Sequence, residues 1–291
     1  MTAFAPRVFD DRTCQLGEGP TMVGQRLYWV DILSKKALWR DYETGDVGEI
    51  STDSHVSFVL PGKDGAVILG TVEGPIIRYP DGTTQQLPQR TKPSSVPVRW
   101  NDAKRGPSGE IWMGTSAYGA EGASTSLYRL SNDYRTLTLE IDGLGLANGM
   151  DWSPDGKYFY LIDTEALVLK RFDYSDGQIS NGQDVMRFDS DTHGYPDGMT
   201  VDSEGSLWIA FWNGACVRRY SSDFHELLTI DMPTQFVTSC TFGGKDLQQL
   251  FITTSRGDGP WSDESAHAGM TFVVETDVRG KPPYFSSTLI S

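Results

Sequence analysis

Four stretches of this 291-residue chain align without gaps on a shared glycine, and this internal repeat limits the possible folds more than any other feature. They are SFVLPGKDGAVILGT (57–71), NDAKRGPSGEIWMGT (101–115), NGMDWSPDGKYFYLI (148–162) and DGMTVDSEGSLWIAF (197–211). The aligned glycines, Gly65, Gly109, Gly156 and Gly205, are spaced by 44, 47 and 49 residues. Two degenerate copies flank the series, EGPTMVGQRLYWVDI (18–32) and SCTFGGKDLQQLFIT (239–253). In each unit a short apolar stretch runs into Asp-Gly, Ser-Gly or Glu-Gly, which reads as a tight hairpin turn. A β-rich run follows, such as Ile111-Trp112-Met113 or Leu207-Trp208-Ile209. A third run carries a Tyr, Phe or Arg motif, as in LYRL (127–130), LKRFDY (169–174) and VRRY (217–220). No segment sustains a 3.6-residue apolar period over a dozen residues. The expected fold is therefore all-β: a six-bladed β-propeller with four antiparallel strands per blade around a central channel. A β-solenoid is the alternative, but its repeats are normally shorter. Length alone suggests two domains, whereas a propeller makes residues 1–291 one domain. Residues around Val8 and Phe9 are expected to supply a strand that closes the last blade.

Composition narrows the function. With 25 Lys+Arg against 39 Asp+Glu the formal charge is −14, which repels nucleic acid and anionic membrane surfaces. No run approaches the roughly 18 apolar residues of a membrane helix, and the N-terminal MTAFAPRVFDDR has acids where a signal peptide needs an apolar core. Cys14, Cys216 and Cys240 are odd in number and form no CxxC pair, so reduced, buried thiols are expected, without a disulfide framework. These features point to a cytoplasmic protein. Oligomeric state is not legible, because propeller edges are short and protected.

The repeat also locates a site. Eight residues before the turn glycine stand Ser57, Asn101, Asn148 and Asp197, and, counting to within one residue, Glu18 and Cys240 in the degenerate copies. In a propeller these positions begin the innermost strands and face one end of the channel. Four of the six are carboxylates or carboxamides, which packing does not explain. Two full charges, Glu18 and Asp197, repel in a narrow space unless one stays protonated or a cation relieves them. An oxygen-only donor set suits a hard divalent cation, with positions left for water and substrate. Taken singly, Asp-Gly and Asn-Gly pairs are usually just turn residues. Here the turns are already accounted for by Asp155-Gly156 and Glu204-Gly205, one strand away from Asn148-Gly149 and Asp197-Gly198.

The strings LGEGP (16–20), RWNDAK (99–104), LANGMDWSPDGK (146–157), YPDGMTVDSEGSLWIA (195–210) and TSCTFGGKDLQQLFITT (238–254) resemble the gluconolactonase, regucalcin and senescence-marker-protein family of six-bladed propellers. The resemblance spans nearly the whole chain. It implies one bound divalent cation held by Glu18, Asn148 and Asp197, with Ca²⁺ first and Mg²⁺, Mn²⁺, Fe²⁺ or Zn²⁺ as alternatives. It implies substrate contacts from Arg99 and Asn101. The loop TSAYGAEGAS (115–124) departs from the family's acidic pattern: Tyr118 stands near the acidic position and Glu121 lies slightly later, so both are candidate substrate residues. His193, before Asp197, either lines the mouth or is a plain surface residue. Arg99 could instead form a salt bridge with a neighbouring blade.

The function this implies is metal-dependent hydrolysis of a sugar lactone to its aldonic acid. The cation would polarise the lactone carbonyl for attack by water. Asp197 is the candidate base, although a carboxylate that holds a cation is a weakened base, which leaves a second-sphere acid or a metal-activated water as alternatives. GxSxG is absent and the four histidines share no spacing, so a serine-esterase mechanism is not expected. Two other readings keep the fold. One is hydrolysis of another lactone or an organophosphate ester at the same site. The other is a non-enzymatic calcium-binding propeller.

Overall fold

The computed structural model describes residues 4–90, 96–119 and 124–284. Among them the chain forms six four-stranded antiparallel sheets, the blades of a six-bladed β-propeller. The innermost strands, from the first blade to the sixth, are Gly17–Val23, Val56–Pro61, Val98–Arg105, Ala147–Trp152, Tyr195–Val201 and Phe236–Gly243. Each packs against the innermost strands of both neighbouring blades, and the sixth meets the first, which closes the ring. The only α-helix among the described residues is one turn, Ser190–His193. No helix of the described residues is long and apolar enough to cross a membrane.

The last blade is built from both ends of the described chain. Arg7–Asp10 adds as its outermost strand, antiparallel to Thr271–Glu275, with Arg7 opposite Val273 and Val8 opposite Phe272. This is the closure expected from Val8 and Phe9.

The second strand of each blade is covered on both faces by adjacent blades, so it reads as a continuous apolar run. Ile111, Trp112 and Met113, and equally Leu207, Trp208 and Ile209, are completely buried. Between the third and fourth blades Trp112, Trp152 and Phe159 pack with ring centroids 4.9–6.4 Å apart. Each such side chain taken from water contributes roughly 1.5–3 kcal/mol. The four turn glycines, Gly65, Gly109, Gly156 and Gly205, all have φ between +68° and +88°. In three of the turns the residue before the glycine keeps a negative φ, and in the fourth blade Gly156 N–H donates to Ser153 O. That pattern fits a turn ending in one left-handed residue better than a two-residue hairpin.

Every innermost strand carries one extra residue against its partner. In the third blade Trp100 pairs with Thr115 and Ala103 with Met113, so three steps on one strand meet two on the other. The same offset recurs in the other five. A bulge of this kind kinks the strand and re-aims its side chains. Its first residue is Ser57, Asn101, Asn148 and Asp197 in the clean copies, as the repeat predicts. The degenerate copies differ from the sequence count. Glu18 is paired with Val30 just ahead of its bulge, which begins at Gly19. In the sixth blade the equivalent residue is Thr238, two positions before Cys240. Cys240 lies in the apolar core, where its thiol donates to Trp208 O at 3.4 Å. Counting from a turn glycine fails there because the turn itself changes length.

Candidate metal and substrate site

The six bulges sit at one mouth of the channel, and the loops leading into two of them are pinned by buried aspartates. Asp31, at the end of the first blade's second strand, accepts the N–H of Gln15 and Leu16 at 3.0 and 3.1 Å. Asp163 does the same for Gly145 and Leu146 in the fourth blade, at 3.1 and 3.0 Å. The chain therefore arrives at Glu18 and Asn148 along fixed paths. The glycines that follow Asn148 and Asp197 serve close approach. A Cβ on Gly149 would lie 2.5 Å from Asp197 O, and one on Gly198 would collide with the Ser239 side chain. Asn-Gly and Asp-Gly thus recur here because adjacent innermost strands nearly touch.

Asn148 and Asp197 are buried, and Glu18 is half-buried. Asn148 has a fixed orientation. Thr164 gives its hydroxyl hydrogen to Pro196 O at 2.7 Å, so it can only accept from Asn148 Nδ2, at 3.1 Å. The Asn148 oxygen is left unpaired. Asn148 Oδ1, Asp197 Oδ1 and Ser57 Oγ are buried without a hydrogen-bond partner among the described residues. An unpaired buried polar atom costs about 1–3 kcal/mol.

The electrostatics of the mouth join the predicted residues. Burial raises the Asp197 carboxyl well above the usual range, and the Glu18 charge adds to the rise; the Asn148 amide and Arg99 oppose it. Burial and the Asp102 charge push Glu18 up to about 8, against Gly19 N–H and Arg99. Glu18 Oε2 accepts that Gly19 N–H at 3.0 Å. Asp102, in the same bulge as Asn101, is raised by burial to about 6, with Lys104 opposing. Arg99 is lowered by burial, and Tyr118, Glu18 and Asp197 raise it. Glu18, Asp197, Arg99 and Tyr118 therefore act on one another across one space.

Arg99 Nη1 donates to Asn101 Oδ1 at 2.7 Å and to Trp100 O at 2.9 Å. Asn101 Nδ2 donates to Ala147 O of the next blade at 3.1 Å, which fixes the carboxamide with its oxygen toward Arg99. Among the described residues no carboxylate lies within salt-bridge distance of Arg99. Tyr118 is half-buried and its hydroxyl meets His55 Nδ1 at 2.7 Å. Glu121 lies outside the described residues. His193 is half-buried at the end of the short helix, with Nδ1 against Asp189 O at 3.1 Å and its ring beside Phe211.

Residues missed by sequence reasoning are His55, Thr164 and Asp102. Asp102 stood beside Asn101 in the same string, and the bulge is what brings both to the mouth. Thr164 and His55 carry no local pattern; Thr164 reaches Pro196 and His55 reaches Tyr118, each in the next blade.

Among the described residues no three His, Cys, Asp or Glu side chains gather as a metal cage. The candidate set has two carboxylates, with a carboxamide as its third member. Its donors nevertheless fit a hard divalent cation, since two unpaired oxygens and two mutually repelling carboxyls share the space. The site is an oxygen-rich cluster of two carboxyls and a carboxamide with a guanidinium–carboxamide pair beside it.

The family described as SMP-30/Gluconolactonase/LRE-like region matches residues 16–256. A pentonolactonase, XacC, of Haloferax volcanii is 37% identical over 286 residues, covering 95% of this chain and 96% of the relative. Regucalcin of Danio rerio is 32% identical over 281 residues, covering 93% and 94%. Among solved structures, a calcium-binding protein, regucalcin, of Agrobacterium tumefaciens superimposes with a TM-score of 0.89 at 25% identity, covering 98% of both chains. A luciferin-regenerating enzyme gives the same TM-score at 26% identity, covering 98% of this chain and all of the other.

Proposed function

Because the chain belongs to the SMP-30/gluconolactonase/LRE-like family, we propose that it hydrolyses a sugar lactone to the aldonic acid at the mouth that holds Glu18, Asn148 and Asp197. The observation that carries this reading is the pair of unpaired buried oxygens, Asn148 Oδ1 and Asp197 Oδ1, next to the Arg99–Asn101 pair. The relative named a pentonolactonase supports the substrate class. Glu18, Asn148 and Asp197 would hold one divalent cation, for which we propose Ca²⁺. Bound there, it would supply Lewis-acid polarisation of the lactone carbonyl.

The chain's own groups do the rest. Arg99 and Asn101 orient the sugar through its hydroxyls or ester oxygen, with the Tyr118 hydroxyl on the same side. Asp197 accepts a proton from the water that adds to the carbonyl carbon. The ring C–O bond then breaks, and the proton returns to the leaving ring oxygen, which becomes a hydroxyl. Asp102, whose charge also raises Asp197, is a further carboxylate at this mouth. Three buried, unpaired thiols, Cys14, Cys216 and Cys240, support a cytoplasmic location.

The test is aldonolactone hydrolysis before and after exhaustive chelation. Activity should vanish with EDTA and return with added Ca²⁺; full activity in excess chelator would remove the cation from the chemistry. A second reading, a calcium-binding protein without turnover, draws on the Agrobacterium neighbour, which is described as a calcium-binding protein. It predicts Ca²⁺ binding with no hydrolysis of any lactone.

A further inference from the structure

The opposite end of the channel holds a cavity that the lactonase reading does not use. The innermost strands reach it at their C-terminal ends. Its wall on the first blade runs from Pro20, two residues past Glu18, to Val23, five past it. None of Glu18, Asn148, Asp197 and Arg99 lines it, so the two sites adjoin along one channel and share no residue.

The cavity is lined by three cationic residues, Lys104, Arg105 and Lys281, and one carboxylate, Asp151. In a chain of net charge −14 this local excess of positive charge has no origin in composition. The carboxylate is saturated. Asp151 Oδ1 accepts from Lys281 Nζ at 2.9 Å and from Trp152 N–H at 2.8 Å. Asp151 Oδ2 accepts from Lys104 Nζ at 2.9 Å, Val201 N–H at 2.9 Å and Thr200 Oγ1 at 3.2 Å. The cations are not saturated. Lys281 is nine-tenths buried; among the described residues its ammonium spends one of three N–H groups on Asp151 and lies 4.4 Å from the Tyr284 ring centroid. Lys104 spends a second only on Met199 O, at 3.1 Å. Arg105 is buried and donates through Nη1 to Gly109 O at 2.8 Å, while its Nη2 has no partner among the described residues. Burial and the like charge of Lys104 pull Lys281 below the usual ammonium range despite Asp151. Asp151 has no lone pair to spare while the two lysines keep unspent N–H groups, which an acceptor entering the cavity can take.

We propose that this cavity binds a small organic carboxylate, its charged end on Lys281 and Lys104 and its apolar body against Met22 and Phe242. The apolar walls select a carboxylate with a hydrocarbon part over an inorganic anion, which has nothing to place there. The lysines carry the charge recognition, and Asp151 orients them.

The experiment titrates hexanoate into the full-length protein carrying isotope-labelled methionine methyls and follows Met22, which lines the cavity. The Met22 signal should move saturably, and inorganic phosphate at equal ionic strength should leave it in place. Lys281→Gln should weaken hexanoate binding at least about 10-fold, the loss of one charge-assisted contact. Thr241→Leu, which narrows the cavity and keeps every ion pair, should weaken it comparably and decides the matter if the Lys281 variant does not fold. Three results overturn the proposal: a Met22 signal unmoved up to about 50 mM hexanoate, an equal response to phosphate, or unchanged affinity in both variants. Lactone hydrolysis is not part of the readout, so failure here leaves the mouth's chemistry untouched.

Discussion

One hydroxyl decides which end of Asn148 faces the channel. Because Thr164 commits its hydrogen to Pro196 O, it can only accept from the Asn148 amide, and the oxygen points away from it. Thr164→Val should therefore lower Ca²⁺ affinity by about 10–100-fold, the usual weight of a group that orients a ligand; calorimetric titration measures this. Asp197→Asn keeps the shape and removes the base together with one of the charges that would hold the cation, so turnover of an aldonolactone should fall by about 10²–10⁴-fold with an unchanged circular dichroism spectrum. Arg99→Ala should raise KM more than it lowers kcat, if the guanidinium holds substrate equally in ground and transition states. Much of the mouth was legible at this scale. Asn101, Asn148 and Asp197 announce themselves as polar residues at a repeat position where packing would choose apolar ones. Thr164 and His55 were invisible because each has a contact that crosses to the next blade, 32 and 63 residues away in the chain.

The element that makes these side chains converge is the bulge near the start of each innermost strand. It adds one residue at the position where polar groups must turn inward. It also brings neighbouring strands so close that Gly149 faces Asp197 O with no room for a methyl group. Gly149→Ala should cost about 1–3 kcal/mol, as overpacking does, and should shift the urea midpoint without altering the slope. Turn glycines and apolar second strands were readable because each obeys a local rule, a left-handed residue or burial on both faces. The bulge obeys none in the sequence. It shows only as register, which is why Glu18 was misplaced by one residue and Cys240 by two.

Ring closure creates contacts that no single blade contains. Asp151 of the fourth blade receives Lys104 from the third and Lys281 from the chain beyond the sixth. Both lysines hold its carboxyl far below the ordinary carboxylate range, although burial alone would raise it. A carboxyl depressed in the folded state stabilises the fold fully above the unfolded value of about 4, and that stabilisation is lost as pH falls through the folded value. Asp151→Asn should cost about 3–5 kcal/mol at neutral pH, as when a buried pair loses one partner, and the gap in melting temperature from wild type should narrow on acidification below pH of about 4. This cluster was unreadable from sequence: its members sit in unrelated strings, and only the closed ring makes them neighbours. The same closure bears on how the protein is made. Arg7 waits for Val273, 266 residues later in the chain, which at about 5–20 residues per second is roughly 13–50 s on the ribosome. Throughout that interval the Arg7–Asp10 strand has no mate, so whatever shields it until Thr271–Glu275 emerges bears on how much of the chain closes correctly.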